Sequence, residues 1–590
     1  MAERTICCDV LVVGGGGAGF RAAIAAKERG MDVLLLSKGP LARCGASPMA
    51  GADFTLDGNS MNKLGFSGDP NDSMEKVFND IVTQGFYINN QKLVYQYVKR
   101  APTLLKDLLD WGLEIYLNDE RFVMTSGLHI MDVLLKKARS IGVKMFEDVM
   151  MLDLVVADGR VTGALGFDIR NGEFINFHTK AVVMATGGWH KAFWPNTGMR
   201  DLSGEGIAAA NRAGARLGNM EFITFCCNVF YYPPKWMGSI AAYVLSCMGG
   251  LVTNNKNEDI MKDLDPVIVK VCSSSEWNKC VVSHCSAKEI KAGNGFAHGG
   301  VHYRRGDVSW DFIKFVGEAM WPNWKYKALD LSEFGKLLEK NEPVEVGPAV
   351  EYFDGGILIN ERFETDVEGL FAAGECSTGA FGSNRVFSAI TEMLVQGLDA
   401  GENAAVYADK NALGELDNKY LLELQKQAEI PLANSNCIKP ALIRREIQEK
   451  AHKYLGPIRS REGLSDFIEY IDTIKKNELR RLGTSSDSRL YNKEWMDALE
   501  LPNMVQLIET SARCALARTE SRGVHYREDY PVSNNDEWIK ESTVKYSNDV
   551  LNIGLQDVVV TSLKPPCDII PYFDMVKNMM ELHSDTRGHH

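Results

Sequence analysis

No stretch of this chain approaches the ~20 consecutive apolar residues that a membrane-spanning helix needs. Its longest apolar runs are interrupted by glycine or charge, so direct insertion into a bilayer is not expected. A basic stripe is also missing. Against 65 Lys and Arg stand 78 Asp and Glu, a net charge of -13, which leaves no surface for phosphate neutralisation and argues against nucleic acid as a partner. Cysteine is present, with thirteen residues, but nowhere in the paired Cys-x-x-Cys spacing of zinc or iron–sulfur ligation. Free thiols in a reducing compartment are the expectation, with no metal site. Met1-Ala2-Glu3-Arg4 runs straight into a strand-like segment, without the apolar core of a signal peptide. That predicts a cytoplasmic protein, carried to a membrane only by another subunit. The closing His589-His590 pair reads as a frayed end.

What is there is ordinary globular material: 45% hydrophobic and 24% charged residues over 590 positions, too long for a single core. Near the N-terminus, Asp9–Val13 reads as a buried strand. Gly14, Gly16 and Gly19 follow at the G-x-G-x-x-G spacing, with Gly17 and Ala18 between, and an Ala-rich helix former runs over 20–29 up to Gly30. Val33–Leu36 is a second strand. This strand–turn–helix–strand order is the context a dinucleotide fingerprint requires. Gly14 allows the tight turn, Gly16 the approach of a pyrophosphate, and Gly19 close packing of helix on strand. The anion then lies at the helix N-terminus, where free N–H groups and the helix dipole meet it. The second strand ends in Ser37-Lys38 rather than an acid; a serine can bond a ribose and a lysine a phosphate.

Two later segments favour FAD over a nicotinamide. Residues 181–188, with Ala185, Thr186 and Gly187, form an apolar strand ending in small residues, a wall that a cofactor can approach closely. Residues 369–375 repeat the pattern and end in Glu375, a candidate for ribitol or ribose hydroxyls. Their separation along the chain implies a cofactor domain interrupted by an insertion.

Taken together these segments resemble the flavoprotein subunits of succinate dehydrogenase and fumarate reductase, a family whose relatives include L-aspartate oxidase and the alpha chain of adenylylsulfate reductase. The likeness runs through Gly127-Leu128-His129, Ser203-Gly204-Glu205-Gly206, Asp354-Gly355-Gly356-Ile357 and the 519–531 segment, Thr519 to Pro531. It implies an α/β fold: a Rossmann-like FAD-binding domain over 1–235 and 345–415, an inserted α+β capping domain over 236–344, a helical domain over 416–535 and a tail over 536–590. The Leu, Ile, Lys and Glu periods from 418 to 474 agree with helices independently. Further flavin contacts are expected from Ala46, Ser47, Glu205, Ser388 and Ile390.

The resemblance also implies a substrate pocket. Gly382-Ser383-Asn384-Arg385 matches the family's G-A-N-R element, making Arg385 the carboxylate-binding arginine. Arg305 takes the place of the proton-donating arginine, and Arg304 could exchange roles with it. Both family histidines are replaced, one by Cys226 and one by Glu351. A carboxylate at the second position repels a second substrate carboxylate, so the expected substrate is a small organic anion other than plain succinate or fumarate. Glu351 is a general acid or base, or a structural partner of backbone or arginine. Gly45 occupies the position of the histidine that tethers flavin in relatives, so a non-covalent FAD is expected. The reaction would be hydride transfer between flavin N5 and a CH–CH or C=C unit, with an iron–sulfur subunit exchanging electrons. The rivals are an adenylylsulfate reductase alpha-like enzyme and an electron-transfer flavin subunit with a degenerate pocket.

Overall fold

A computed structural model describes residues 4–239, 250–272, 277–311, 332–434, 437–547 and 550–582; the His589-His590 pair lies outside them. The strand Arg4–Val13 runs between Val33–Leu36 and Phe174–Met184, parallel to both. Val10, Leu11 and Val12 are wholly buried, as expected of a parallel strand covered on both faces. Lys144–Phe146 extends the parallel sheet on one side, and Leu370–Ala372 pairs with Phe174–Met184. An antiparallel hairpin, Val149–Ala157 with Arg160–Asp168, completes the seven-stranded sheet. The register places Val13 beside Leu36 and Met184, with Ala372 next to Met184. Four carboxyl ends therefore open on one edge, where ligands of such sheets bind.

The helix Gly17–Glu28 buries ten residues, and Gly30 follows it at φ +87°, the left-handed conformation that ends many helices. Ala389–Lys410 lies directly on it. A Cβ on Gly397 would come 2.4 Å from the Ala18 carbonyl, and one on Gly401 2.3 Å from that of Ala22. Glycine on one helix and alanine on the other allow this approach.

The insertion is built on an antiparallel sheet in the order Ile223–Tyr232, Val344–Phe353, Val301–Arg304, Leu251–Thr253, with the helix Asn278–Lys291 packed on its first strand. The sheet is thus entered at Ile223 and left at Phe353. The sequence-derived edges at 235/236 and 344/345 fall at the outer ends of those two strands. Asn418–Ala433, Pro440–Tyr454, Arg461–Asn477 and Lys493–Ala517 form the helical region. The segment after 536 is more than a tail. Lys540–Ser547 and Val550–Asp557 form a hairpin that joins Leu217–Gly218 and Gly356–Ile357 in a second sheet. Among the described residues no helix is long and apolar enough to cross a membrane, and no disulfide joins the cysteines.

The 519–531 segment explains this closure. Arg518, 1% exposed at its side chain, pairs with Glu221 at 2.7 Å and Glu520 at 3.0 Å, and Arg522 pairs with Glu520 at 2.7 Å. Ser542 donates to the other Glu221 oxygen. One carboxylate thus ties the cofactor domain to the helical region and the last sheet. Removing one member of a buried ion network leaves charges uncompensated, so Glu221→Ala is expected to cost about 3–5 kcal/mol, measured as a drop in the denaturation midpoint.

Candidate functional site

The carboxyl ends of the parallel strands open into a cleft with about 1590 Å³ of space between protein atoms, its mouth included. Gly14, Gly16, Gly17 and Ala18 form its floor. Gly14 has φ +124°, and a Cβ there would stand 2.0 Å from the Ala185 carbonyl oxygen. A side chain is therefore excluded by both conformation and space. Gly19 does not face the cleft; a Cβ on it would meet the Gly14 carbonyl at 1.8 Å, so it serves helix packing. A Cβ on Gly16 would meet only Ser47 Oγ, at 3.4 Å, and this glycine keeps the cleft open to backbone approach. Gly14→Val is expected to yield protein without bound flavin, read from the absorbance of the purified chain.

Ala46, Ser47, Ala185, Thr186, Gly187, Glu205, Glu375 and Ile390 line the walls. The Gly17 N–H donates to Ser47 Oγ at 3.1 Å. Three residues expected at the cofactor have partners within the chain. Ser37 is wholly buried and donates to the Gly39 carbonyl at 2.8 Å; its hydroxyl shapes the loop and is not at the cleft. Lys38 reaches the cleft wall, where its ammonium is held by Glu205 at 2.9 Å, Glu500 at 2.6 Å and Ser203 Oγ at 2.6 Å. Burial opposes its charge, yet the two carboxylates outweigh that and raise its pKa. Ser388 caps the helix Ala389–Lys410, accepting the Thr391 N–H at 3.1 Å and donating to the Asp53 carbonyl. Its role is structural because a helix start needs an acceptor.

At the inner end stand Glu351, Tyr352, His190 and Arg385. Val344–Phe353 delivers Glu351 to the cleft. Arg385 Nη1 donates to the Phe387 carbonyl at 3.1 Å, and its guanidinium lies 5.3 Å from the Tyr352 ring centroid. Glu351 Oε2 is 3.4 Å from Arg385 Nη2 and 2.7 Å from Lys279 Nζ. Lys279, only 6% exposed at its side chain, comes from the helix Asn278–Lys291. Burial acts to raise the Glu351 pKa, but Lys279 and then Arg385 overcome it and hold the carboxyl below its ordinary value. His190 Nε2 bonds the Glu351 carbonyl at 2.8 Å and lies 3.5 Å from Glu375 Oε1. Burial pushes Glu375 up, opposed by His190 and backbone N–H groups. Behind this wall Tyr352 donates to Glu392 at 2.7 Å and Thr224 to Asp354 at 2.8 Å. Burial raises both carboxyls to about 7.

Arg305 is not brought here. Its guanidinium donates to the carbonyls of Leu338 at 2.9 Å and Val308 at 2.7 Å, closing the turn after Val301–Arg304. Arg304 reaches Asn257 instead, at 3.0 Å. Cys226 is also off the cleft, packed in a small apolar cluster with Val229 and Ala349. The residue that sequence reasoning missed is Lys279. The available signal was a lysine set against Cys280, Val281 and Val282 at a helix start, an odd position for a charge that would otherwise be solvated.

The glycine floor, the small-residue walls and the size of the cleft fit FAD: Gly14 and Gly16 would leave room for its pyrophosphate, and Glu375 would stand near its sugar chain. Known proteins point the same way. The FAD binding domain model matches residues 9–126 and 117–389, and the fumarate reductase flavoprotein C-terminal model matches residues 444–569. The CoM/CoB fumarate reductase subunit of Methanothermobacter marburgensis is 31% identical over 553 residues, covering 90% of this chain and 96% of that one. Among solved structures, E. coli quinol fumarate reductase superposes with a TM-score of 0.85 at 24% identity, covering 96% of this chain and 99% of that one. Mycobacterium smegmatis Sdh1 gives a TM-score of 0.82 at 26% identity, covering 95% and 96%. The chain therefore belongs to the fumarate reductase and succinate dehydrogenase flavoprotein family of FAD-dependent oxidoreductases.

Proposed function

We propose that the protein is the catalytic subunit of an oxidoreductase acting on a CH–CH or C=C unit of a small organic anion, an enoate or an acyl compound other than plain succinate or fumarate. The observation that carries this reading is the convergence of Arg385, Glu351 and Lys279 at the inner end of the cleft. FAD, when bound, supplies the hydride acceptor or donor. The chain's own residues do the rest. Arg385 holds the anionic end with a planar fork of donors, stacked on Tyr352. Lys279 exchanges the proton on the neighbouring carbon, with Glu351, 2.7 Å away, restoring it. This assignment moves the acid from Arg305, whose donors serve backbone carbonyls. Glu351 sets the substrate preference, since a glutamate at that position offers a second substrate carboxylate no positive charge.

Electrons pass to or from an iron–sulfur partner in this reading, which is supported by the relatives being named as subunits of larger enzymes. Gly45 lines the cleft without a nucleophile, so the flavin is held non-covalently. Acid precipitation is expected to release all of it to the supernatant, and flavin retained on the pellet refutes that point. The reaction class is tested by mixing photoreduced protein rapidly with enoates, enoyl thioesters and adenylylsulfate. Reoxidation by the first two is expected; reoxidation by adenylylsulfate alone moves the reading to sulfur chemistry.

A further inference from the structure

We infer that Glu351 is a built-in counter-carboxylate: a substrate anion takes Arg385 only as Glu351 takes up a proton, so that anion binding and loading of the group that recharges the catalytic acid are one event. The inference rests on the inner end of the cleft being the anion seat. Both cations of that seat already face the same oxygen, Glu351 Oε2, at 2.7 Å from Lys279 and 3.4 Å from Arg385. All three side chains are at most 13% exposed, so water screens their charges poorly. A ligand carboxylate arriving at Arg385 removes part of what keeps Glu351 ionised and sets a second negative charge beside it. A second carboxylate in one buried site raises the pKa of the pair, which favours a proton on one of them.

The other groups around Glu351 do not supply this relief. His190 is committed through Nε2 to the Glu351 carbonyl. Glu375, against that histidine, and Asp354 and Glu392, on the Arg385 side, are carboxyls and add no positive charge. Tyr352 donates its hydroxyl to Glu392. The stoichiometry is one anion and one proton in; the one bond formed is the O–H of Glu351, its proton drawn from solvent, and no bond of the anion changes. The proton gained lies at hydrogen-bonding distance from Lys279, the group that hands a proton to substrate. The reserve proton behind Lys279 is thus in place when an anion is seated and not before.

The sign follows from linkage. In the free site Lys279 and Arg385 hold Glu351 low; in the complex it is raised. Between those two values the complex binds one proton more than the free protein, so anion affinity falls as pH rises. The test uses the full-length flavoprotein in its oxidised form, titrated with crotonate between about pH 6.5 and 8.5, where the ligand stays ionised. Flavin absorbance reports binding, and calorimetry in buffers of different ionisation enthalpy counts protons. Wild type is expected to lose up to about tenfold in affinity per pH unit and to take up close to one proton per anion. Glu351→Gln is expected to bind crotonate about tenfold tighter at the upper pH, with a flat profile and no uptake. A flat wild-type profile without uptake overturns the inference. So does uptake that persists in Glu351→Gln, which would place the proton on Asp354, Glu392, Glu375 or His190. Should that variant not fold, infrared difference spectra of wild type decide: a new protonated-carboxyl band on crotonate binding supports the coupling, and its absence sinks it. Proton-coupled binding without any turnover of crotonate leaves the coupling standing and fails the reaction class instead.

Discussion

Replacing Lys279 by methionine is expected to lower turnover by about 10²–10⁴-fold, the usual contribution of a positioned general acid, while FAD stays bound. Methionine matches the length of the buried stem, so packing changes little. What disappears is the ammonium 2.7 Å from Glu351. The loss should appear in kcat measured with an enoate and a reduced dye, and in a diminished solvent isotope effect. Lys279→Arg, which keeps a donor of like charge, is expected to recover part of the rate. Arg305→Ala is the contrasting case. Its guanidinium closes a turn by bonding Leu338 and Val308 carbonyls, so its removal should lower the melting temperature and leave kcat alone. Equal damage to kcat from both variants would remove Lys279 from the proton step.

Arg385→Ala is expected to act on a different quantity. Truncating one partner of a buried, hydrogen-bonded charge pair costs about 2–5 kcal/mol, or roughly 30- to 5,000-fold in kcat/KM. The fork that grips the anion is lost, and Glu351 is left with Lys279 as its only partner of the two cations that face it. Lysine at 385 restores charge but not the planar pair of donors, so Arg385→Lys should recover only a fraction. Unchanged turnover of the complex carrying Arg385→Ala would instead favour an electron-transfer flavin subunit with a degenerate pocket.

Asp354 and Glu392 give these measurements a background. Burial puts both carboxyls near 7, so either can contribute to a pH profile around neutrality. The Glu351→Gln control separates them from the proton that enters with the anion.

The sequence by itself determined the cofactor half of the site. The turn Gly14 to Gly19 was legible from its glycine spacing, although only the close approach of Gly19 to the Gly14 carbonyl is local; the clearance at Gly14 is set by the distant Ala185 carbonyl. The strands Arg4–Val13 and Val33–Leu36 and the helix Gly17–Glu28 follow from local apolar patterning. Arg385 too was legible, because its motif sits in one short loop. Tertiary structure alone decided which side chains meet at the inner end of the cleft. Lys279 and Arg305 are both cations of the insertion, and nothing local distinguishes them. Only the packing of the helix Asn278–Lys291 on the strand Ile223–Tyr232 carries Lys279 to Glu351. Likewise the pairing of Lys38 with Glu500 comes from a helix more than 400 residues further along the chain. Backbone geometry is a short-range property, whereas the partner of a buried charge is whatever distant element the fold brings against it.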